Sequence, residues 1–153
     1  MANDNFKFSL RSIVEKNKLN GTNFLDWERN IRIILRSEGR EDALATPIPM
    51  VIETSSDEEK VNIIWLENEV LPVTCLMLSA MEPELQKRFL NSDAYTIISE
   101  LKTLFQDQAM IERYETHKAI LDRKLVKGKP MSPHVISLTG LFKWMENLGT
   151  PYD

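Results

Sequence analysis

The residues best suited to chemistry are few and far apart. There are two histidines, His117 and His134, and one cysteine, Cys75. A transition-metal site needs several nitrogen, sulfur or carboxylate ligands at close and regular spacing. Neither histidine has a cysteine or a second histidine within a few positions. A Cys–His nucleophile pair needs a thiol held in a polarising, accessible place. Cys75 lies instead in the apolar run from Val73 to Met81, which reads as a buried helix with an inert thiol. The five glycines are scattered, and they form neither a P-loop nor a dinucleotide fingerprint. Carboxylates are numerous, but Asp57, Glu58, Glu59 and Glu112 fall at expected helix starts, where they favour the dipole. The expectation is therefore a chain without catalytic residues, cofactor or metal, and with no small-molecule substrate.

One stretch carries a local charge surplus. Between Arg113 and Lys129 stand Arg113, Lys118, Arg123, Lys124, Lys127 and Lys129, against only Glu115 and Asp122. Arg113 and Lys124 project in nearly the same direction if one helix carries both. Phosphates need only positioned cations, so these residues, with Lys118, Arg123 and Lys127, are candidate RNA contacts, the bland alternative being a solvated helix face. The whole chain has a net charge of -4, which argues against wholesale coating of nucleic acid. It also disfavours a helix-turn-helix DNA reader, which needs a recognition helix rich in exposed Arg, Asn and Gln.

The elements that must position these residues all read as helices. The chain has 153 residues, 42% hydrophobic and 27% charged, enough for one ordinary domain or two small lobes. Residues 1–18 are polar and read as a flexible segment, in which, with Leu19 beyond it, only Phe6, Phe8, Leu10, Ile13 and Val14 could dock on another part, and Asn20 and Gly21 signal a turn. Phe24, Trp27, Ile31, Ile34 and Leu35 fall within about 100° of arc, a buried stripe on a helix from Phe24 to Ser37. Thr22 or Asn23 can cap that helix, and Gly39 ends it. Arg29, Arg32 and Arg36 share another face. Ser55 and Ser56, each followed three residues on by Glu58 and Glu59, carry a capping-box signature. A long helix should follow with Val61, Ile64, Trp65 and Leu71 inward, kinked or broken at Pro72.

Shorter signals complete the pattern. Pro83 suits the first turn of a helix to Leu90, and Asn91 or Ser92 can cap the next, Asp93 to about Gln106. A helix from about Gln108 to Leu125 should turn Met110, Ile111, Tyr114, Leu121 and Leu125 inward. Ser132 then caps a last helix from Pro133 to Leu148, stopped by Gly149 and Pro151. Its residues Val135, Leu138, Leu141, Phe142, Met145 and Leu148 cover about 140° of arc, more than contact with one neighbour requires. Leu138, Leu141, Trp144, Met145 and Leu148 are therefore the candidate self-association residues, with Trp144 at the margin. The fold class is all-α, with about six or seven helices and no period-two strand.

No apolar stretch is expected to reach the roughly 18 to 20 residues of a membrane span. Signal-peptide and myristoylation signals are missing at the N-terminus, where Ala2 follows Met1. With one cysteine and no internal disulfide, a reducing, cytoplasmic location without a membrane partner is expected.

The segment from Lys18 to Trp27 resembles the opening signature of Gag proteins of plant-type Ty1/copia LTR retrotransposons. Leu19 and Gly21, the Asn23–Phe24 pair and Trp27 stand at the matching spacing. Thr46 to Pro49 is similar to the family's loop after the first capsid helix, and Trp65 to its second recurrent tryptophan. Further along, the matching residues are Met81 to Phe89, Asp93 to Tyr95, Leu101–Lys102, Leu104 to Gln106, Glu112 to Tyr114, Lys124–Leu125 and Ser132 to Val135. The likeness thus runs from about Leu19 to Pro151. It implies a retroviral-capsid-like fold: an N-lobe over 19–107 and a partial C-lobe over 108–153. It also implies self-assembly into a homo-oligomeric particle enclosing element RNA. Family members continue past the point matched by Leu148 to Pro151 into more of the C-lobe and a zinc knuckle. The chain is therefore expected to be a fragment, a truncated product or a domesticated remnant. The alternative function is a Gag-derived adaptor or RNA carrier that forms no particle.

Overall fold

The computed structural model describes residues 10–124 and 126–148, and most of these are helical. In chain order the helices are α1 (10–16), α2 (Phe24–Ser37), α3 (Asp57–Ser79), α4 (Pro83–Arg88), α5 (Ala94–Leu104), α6 (Gln106–Asp122) and α7 (Met131–Asn147). A single 3-10 turn, Glu41–Leu44, follows α2. Among the described residues no strand forms, and one isolated parallel bridge joins Leu19 to Met81. The fold is all-α. It divides into two compact units, Met1–Phe105 and Gln106–Asp153.

Unit 1 is organised around α2. Phe24, Trp27, Ile31, Ile34 and Leu35 are buried, so the stripe read from the spacing is the inward face. The helix ends as its glycine requires. Gly39 has φ 68°, the Gly39 N–H donates to the Arg36 carbonyl at 3.2 Å, and the Arg40 N–H donates to the Leu35 carbonyl at 2.9 Å. This Schellman pair satisfies carbonyls that the helix leaves open. At the other end Asn23 holds the capping position without capping. Its side chain accepts from the Asn20 N–H and donates to the Lys18 carbonyl, each at 3.0 Å, bracing the turn through Gly21 instead.

Helix α3 starts as its sequence dictates. The Ser56 hydroxyl accepts from the Glu59 N–H at 3.2 Å, and the Glu59 carboxylate accepts from the Ser56 N–H at 2.8 Å. Of the kink or break expected at Pro72, the break does not occur: α3 continues through it to Ser79. Pro72 lies on the exposed side, so the Asn68 carbonyl deprived of its usual N–H partner can face water. Val73, Thr74, Leu76 and Met77 enter the core beside Val14, Leu19, Ala80, Met81, Phe89, Ala94, Ile97, Ile98 and Leu101. Asp93, one residue beyond the expected caps Asn91 and Ser92, caps α5 by accepting from the Thr96 N–H at 2.8 Å. Phe105, after the last turn of α5, stacks on Phe24 with ring centroids 5.3 Å apart.

Several expectations are corrected here. The flexible segment expected over 1–18 is helical over 10–16, because Val14 is buried and Leu10 packs against the core. Arg11 also forms a two-pronged pair with Glu38, both hydrogen bonds at 3.0 Å. Residues 1–9 lie outside the described residues. On α3, Val61, Ile64, Trp65 and Leu71 are exposed rather than inward, and so is Cys75. Apolar residues populate both sides of this helix, and the core takes the side with Ile63, Val73, Leu76 and Met77. With 23 residues and a mean hydropathy of 1.3 in its most apolar window, α3 is also long and apolar enough to cross a membrane, although Glu67 and Glu69 interrupt the run.

Unit 2 is a helical hairpin in which α6 packs against α7. Its buried residues are Thr116, Ile120 and Met145. Met110, Ile111, Tyr114 and Leu121, expected inward, are exposed. Small side chains such as Thr116 and Ala119 line the opposite side of α6 and permit the closer approach of a neighbour, so that side is the covered one. Leu125, Gly149 and Pro151 fall outside the described residues. Helix α7 begins at Met131, with Pro130 rather than Ser132 in the capping position.

Candidate self-association surfaces

The five residues expected to drive self-association sit together on α7 but do not form an uncovered face. Met145 is buried, while Leu138, Leu141, Trp144 and Leu148 are half-buried. The Trp144 indole N–H donates to the Glu112 carboxylate of α6 at 2.9 Å, holding the margin of the stripe inside the hairpin. Val135 and Phe142, at one edge of the same arc, are exposed.

The larger exposed apolar surfaces lie elsewhere, and on α3 and α6 they are made by residues that the spacing predicts inward. On α3, Val61, Ile64, Trp65 and Leu71 are each between 56% and 67% exposed. Beside them the loop after α2 presents Met50, Val51 and Ile52 to solvent. A groove of about 420 Å³ between this loop and α3 is lined by Pro47, Ile48, Trp65 and Val70. A shallower one of about 680 Å³, lined by Met50, Leu71, Cys75 and Leu90, lies on the loop's other side. On α6 the exposed set is Met110, Ile111, Tyr114 and Leu121. The signal that could have located both surfaces is a second apolar stripe on each helix, opposite the one the core takes.

The candidate RNA contacts are dispersed. Lys118, Arg123, Lys124 and Lys127 are exposed, and Arg113 is half-buried with its Nε–H donating to the Ala109 carbonyl at 3.2 Å. Helix α6 ends at Asp122, so Lys124 lies beyond it and does not share a helical face with Arg113 as expected. Arg123, Lys124, Lys127 and Lys129 instead crowd the connection toward α7.

The arginines of α2 are paired along the surface. Arg29 meets Asp26 at 2.7 Å, Arg32 meets Glu28 at 3.1 Å and Arg36 meets Glu41 at 3.0 Å. The hydrogen bond from Arg36 holds the Glu41 carboxyl below its ordinary range, and the same bond raises the Arg36 guanidinium above its own. Exposed pairs of this kind contribute little to stability. His117 is exposed and His134 half-buried, on different helices. Among the described residues no three His, Cys, Asp or Glu side chains gather as a metal site would require.

No protein-family model matches this chain, and no curated protein or solved structure matches it.

Proposed function

We propose that the chain is a capsid-type structural module of a copia-type retrotransposon Gag, acting by self-assembly around element RNA in the cytoplasm and catalysing no reaction. The observation that carries this reading is the behaviour of the opening signature. Its apolar members Leu19, Phe24 and Trp27 are all buried in unit 1. Leu19 also locks the segment to the far end of α3: its N–H donates to the Ala80 carbonyl at 2.9 Å, and its carbonyl accepts from the Glu82 N–H at 3.0 Å. A motif that fastens a helical unit at its two ends is what a structural module needs, whereas an enzyme's motif would surround a reactive group. The exposed apolar faces of α3 and α6 supply surface for protein–protein contact.

Electron microscopy of the purified chain, with and without RNA, tests this reading. Closed particles or regular arrays support it. A protein that stays dispersed under all assembly conditions tried contradicts it. The second reading, a Gag-derived adaptor or RNA carrier without particles, is favoured by the exposed cations of the α6–α7 connection. It predicts RNA binding by the dispersed protein.

A further inference from the structure

The groove of about 680 Å³ on unit 1 is apolar in its walls and acidic in its charge. Its walls are Met50 and Val51 from the loop after α2, Val70, Leu71 and Leu78 from α3, and Leu90 from the turn after α4. All the residues lining it belong to unit 1. Met50, Val51, Leu71 and Leu90 are each more than half exposed. The charged groups in the lining are Glu67 and Asp93, with no cation among the described residues there. Asp93 also caps α5, whereas Glu67 is exposed. The surrounding chain has the same bias. From Asp42 to Asp93 there are ten carboxylates, against Lys60, Lys87 and Arg88. Lys60 lies 3.7 Å from Asp57 and Arg88 lies 4.0 Å from Glu100, so two of these three cations already have a carboxylate beside them. Arg40 lines the neighbouring groove, together with Asp42 and Glu69.

Apolar side chains that displace water from such a groove are bound favourably. The charge decides which kind of chain brings them. Carboxylates repel the phosphates of RNA and of anionic lipid headgroups, so the ligands suited to a cluster of cations are not suited to this groove. They also repel the same face of a second copy. They favour a segment in which lysine or arginine alternates with apolar side chains. Each cation then stands near a carboxylate, while its methylene stem covers apolar surface. We propose that this groove of unit 1 receives an apolar, basic segment of a partner protein. The apolar side chains of that segment enter between the loop and α3, and its cations lie near Glu67 and the other carboxylates of the acidic stretch. An amphipathic helix with a cationic border has this chemistry. The inference goes beyond the self-assembly reading and does not depend on it.

Three synthetic peptides of equal length test it on the full chain: leucine and lysine at helical spacing, the same with glutamate for lysine, and the same with serine for leucine. Cys75 is the chain's one cysteine, is exposed and lines the groove, so its rate of alkylation by iodoacetamide reports occupancy. Fluorescence anisotropy of labelled peptide gives the affinity. The leucine–lysine peptide should bind and slow the alkylation of Cys75. The other two should bind at least roughly tenfold more weakly. Glu67→Lys changes an exposed residue and should weaken the leucine–lysine peptide by roughly fivefold, with circular dichroism confirming the fold. Failure of the leucine–lysine peptide to bind overturns the proposal. So does binding that leaves Cys75 alkylation unchanged, or binding equal for all three peptides, or an affinity indifferent to Glu67→Lys. Alkylation that slows as the chain's own concentration rises, with no peptide present, assigns the groove to a second copy and also overturns it. Self-assembly is judged separately by mass in solution and stands or falls without this result.

Discussion

The indole N–H of Trp27 donates to the backbone carbonyl of Ala80 at 2.9 Å, joining residues 53 positions apart in a fully buried bond. The same carbonyl accepts from the Leu19 N–H at 2.9 Å. One oxygen therefore ties the entry to α2 and the exit from α3 together at the centre of unit 1. Trp27→Ala should destabilise the protein by about 3 to 5 kcal/mol through lost packing and the cavity left behind. Trp27→Phe keeps most of the packing and should cost closer to about 1 kcal/mol for the lost hydrogen bond, since the Ala80 carbonyl keeps one donor. Urea unfolding of both variants checks the ordering; equal losses would contradict it.

The reciprocal Ser56–Glu59 box should be measurable in isolation. Ser56→Ala removes the acceptor for the Glu59 N–H and should cost about 1 kcal/mol. Glu59→Gln keeps a side chain able to reach back to the Ser56 N–H and should cost distinctly less. Chemical denaturation reads both.

The Arg36–Glu41 pair sets a pH dependence on the acid side. The Arg36 hydrogen bond lowers the folded-state pKa of Glu41. Its contribution to stability is therefore fully present above the ordinary carboxylate pKa and is lost as pH falls through the lowered folded value. Arg36→Gln should shift the Glu41 titration upward and flatten this part of the stability profile. Carbon-detected NMR titration of the Glu41 carboxyl is the check, with an unchanged midpoint as the contrary result.

RNA binding by this chain should be electrostatic and indifferent to sequence. On the reading proposed above, the exposed cations of the α6–α7 connection are the groups that would meet phosphates. The logarithm of affinity should fall with the logarithm of salt concentration, with a slope of about −0.7 for each phosphate contacted on a single strand. Lys124→Glu/Lys127→Glu should reduce both the affinity and the slope. Binding to one RNA sequence that withstands physiological salt would contradict this.

What the sequence made legible follows a physical divide. The stripe of α2, its glycine stop and the capping box of α3 were readable because one local signal, periodicity or a turn residue, decides each. The faces of α3 and α6 were misassigned because both helices carry apolar residues on two sides. Packing chose Ile63 and Met77 over Ile64 and Leu71, and Thr116 and Ile120 over Tyr114 and Leu121. Periodicity counts apolar residues, but it cannot say which of two stripes finds a neighbour. Val14 hides in a polar opening segment, and only its contact with distant core residues makes α1 part of the fold. The helix α7 is readable from its spacing, but the Trp144–Glu112 bond spans two helices and leaves no local trace in the sequence.

Self-assembly, as proposed above, is read out by the mass of the chain in solution. Size-exclusion chromatography with multi-angle light scattering, run over a wide concentration range, should show the mass rising well above the 17.7 kDa of one chain. A mass that stays at 17.7 kDa up to the highest concentration the protein tolerates would rule out self-assembly.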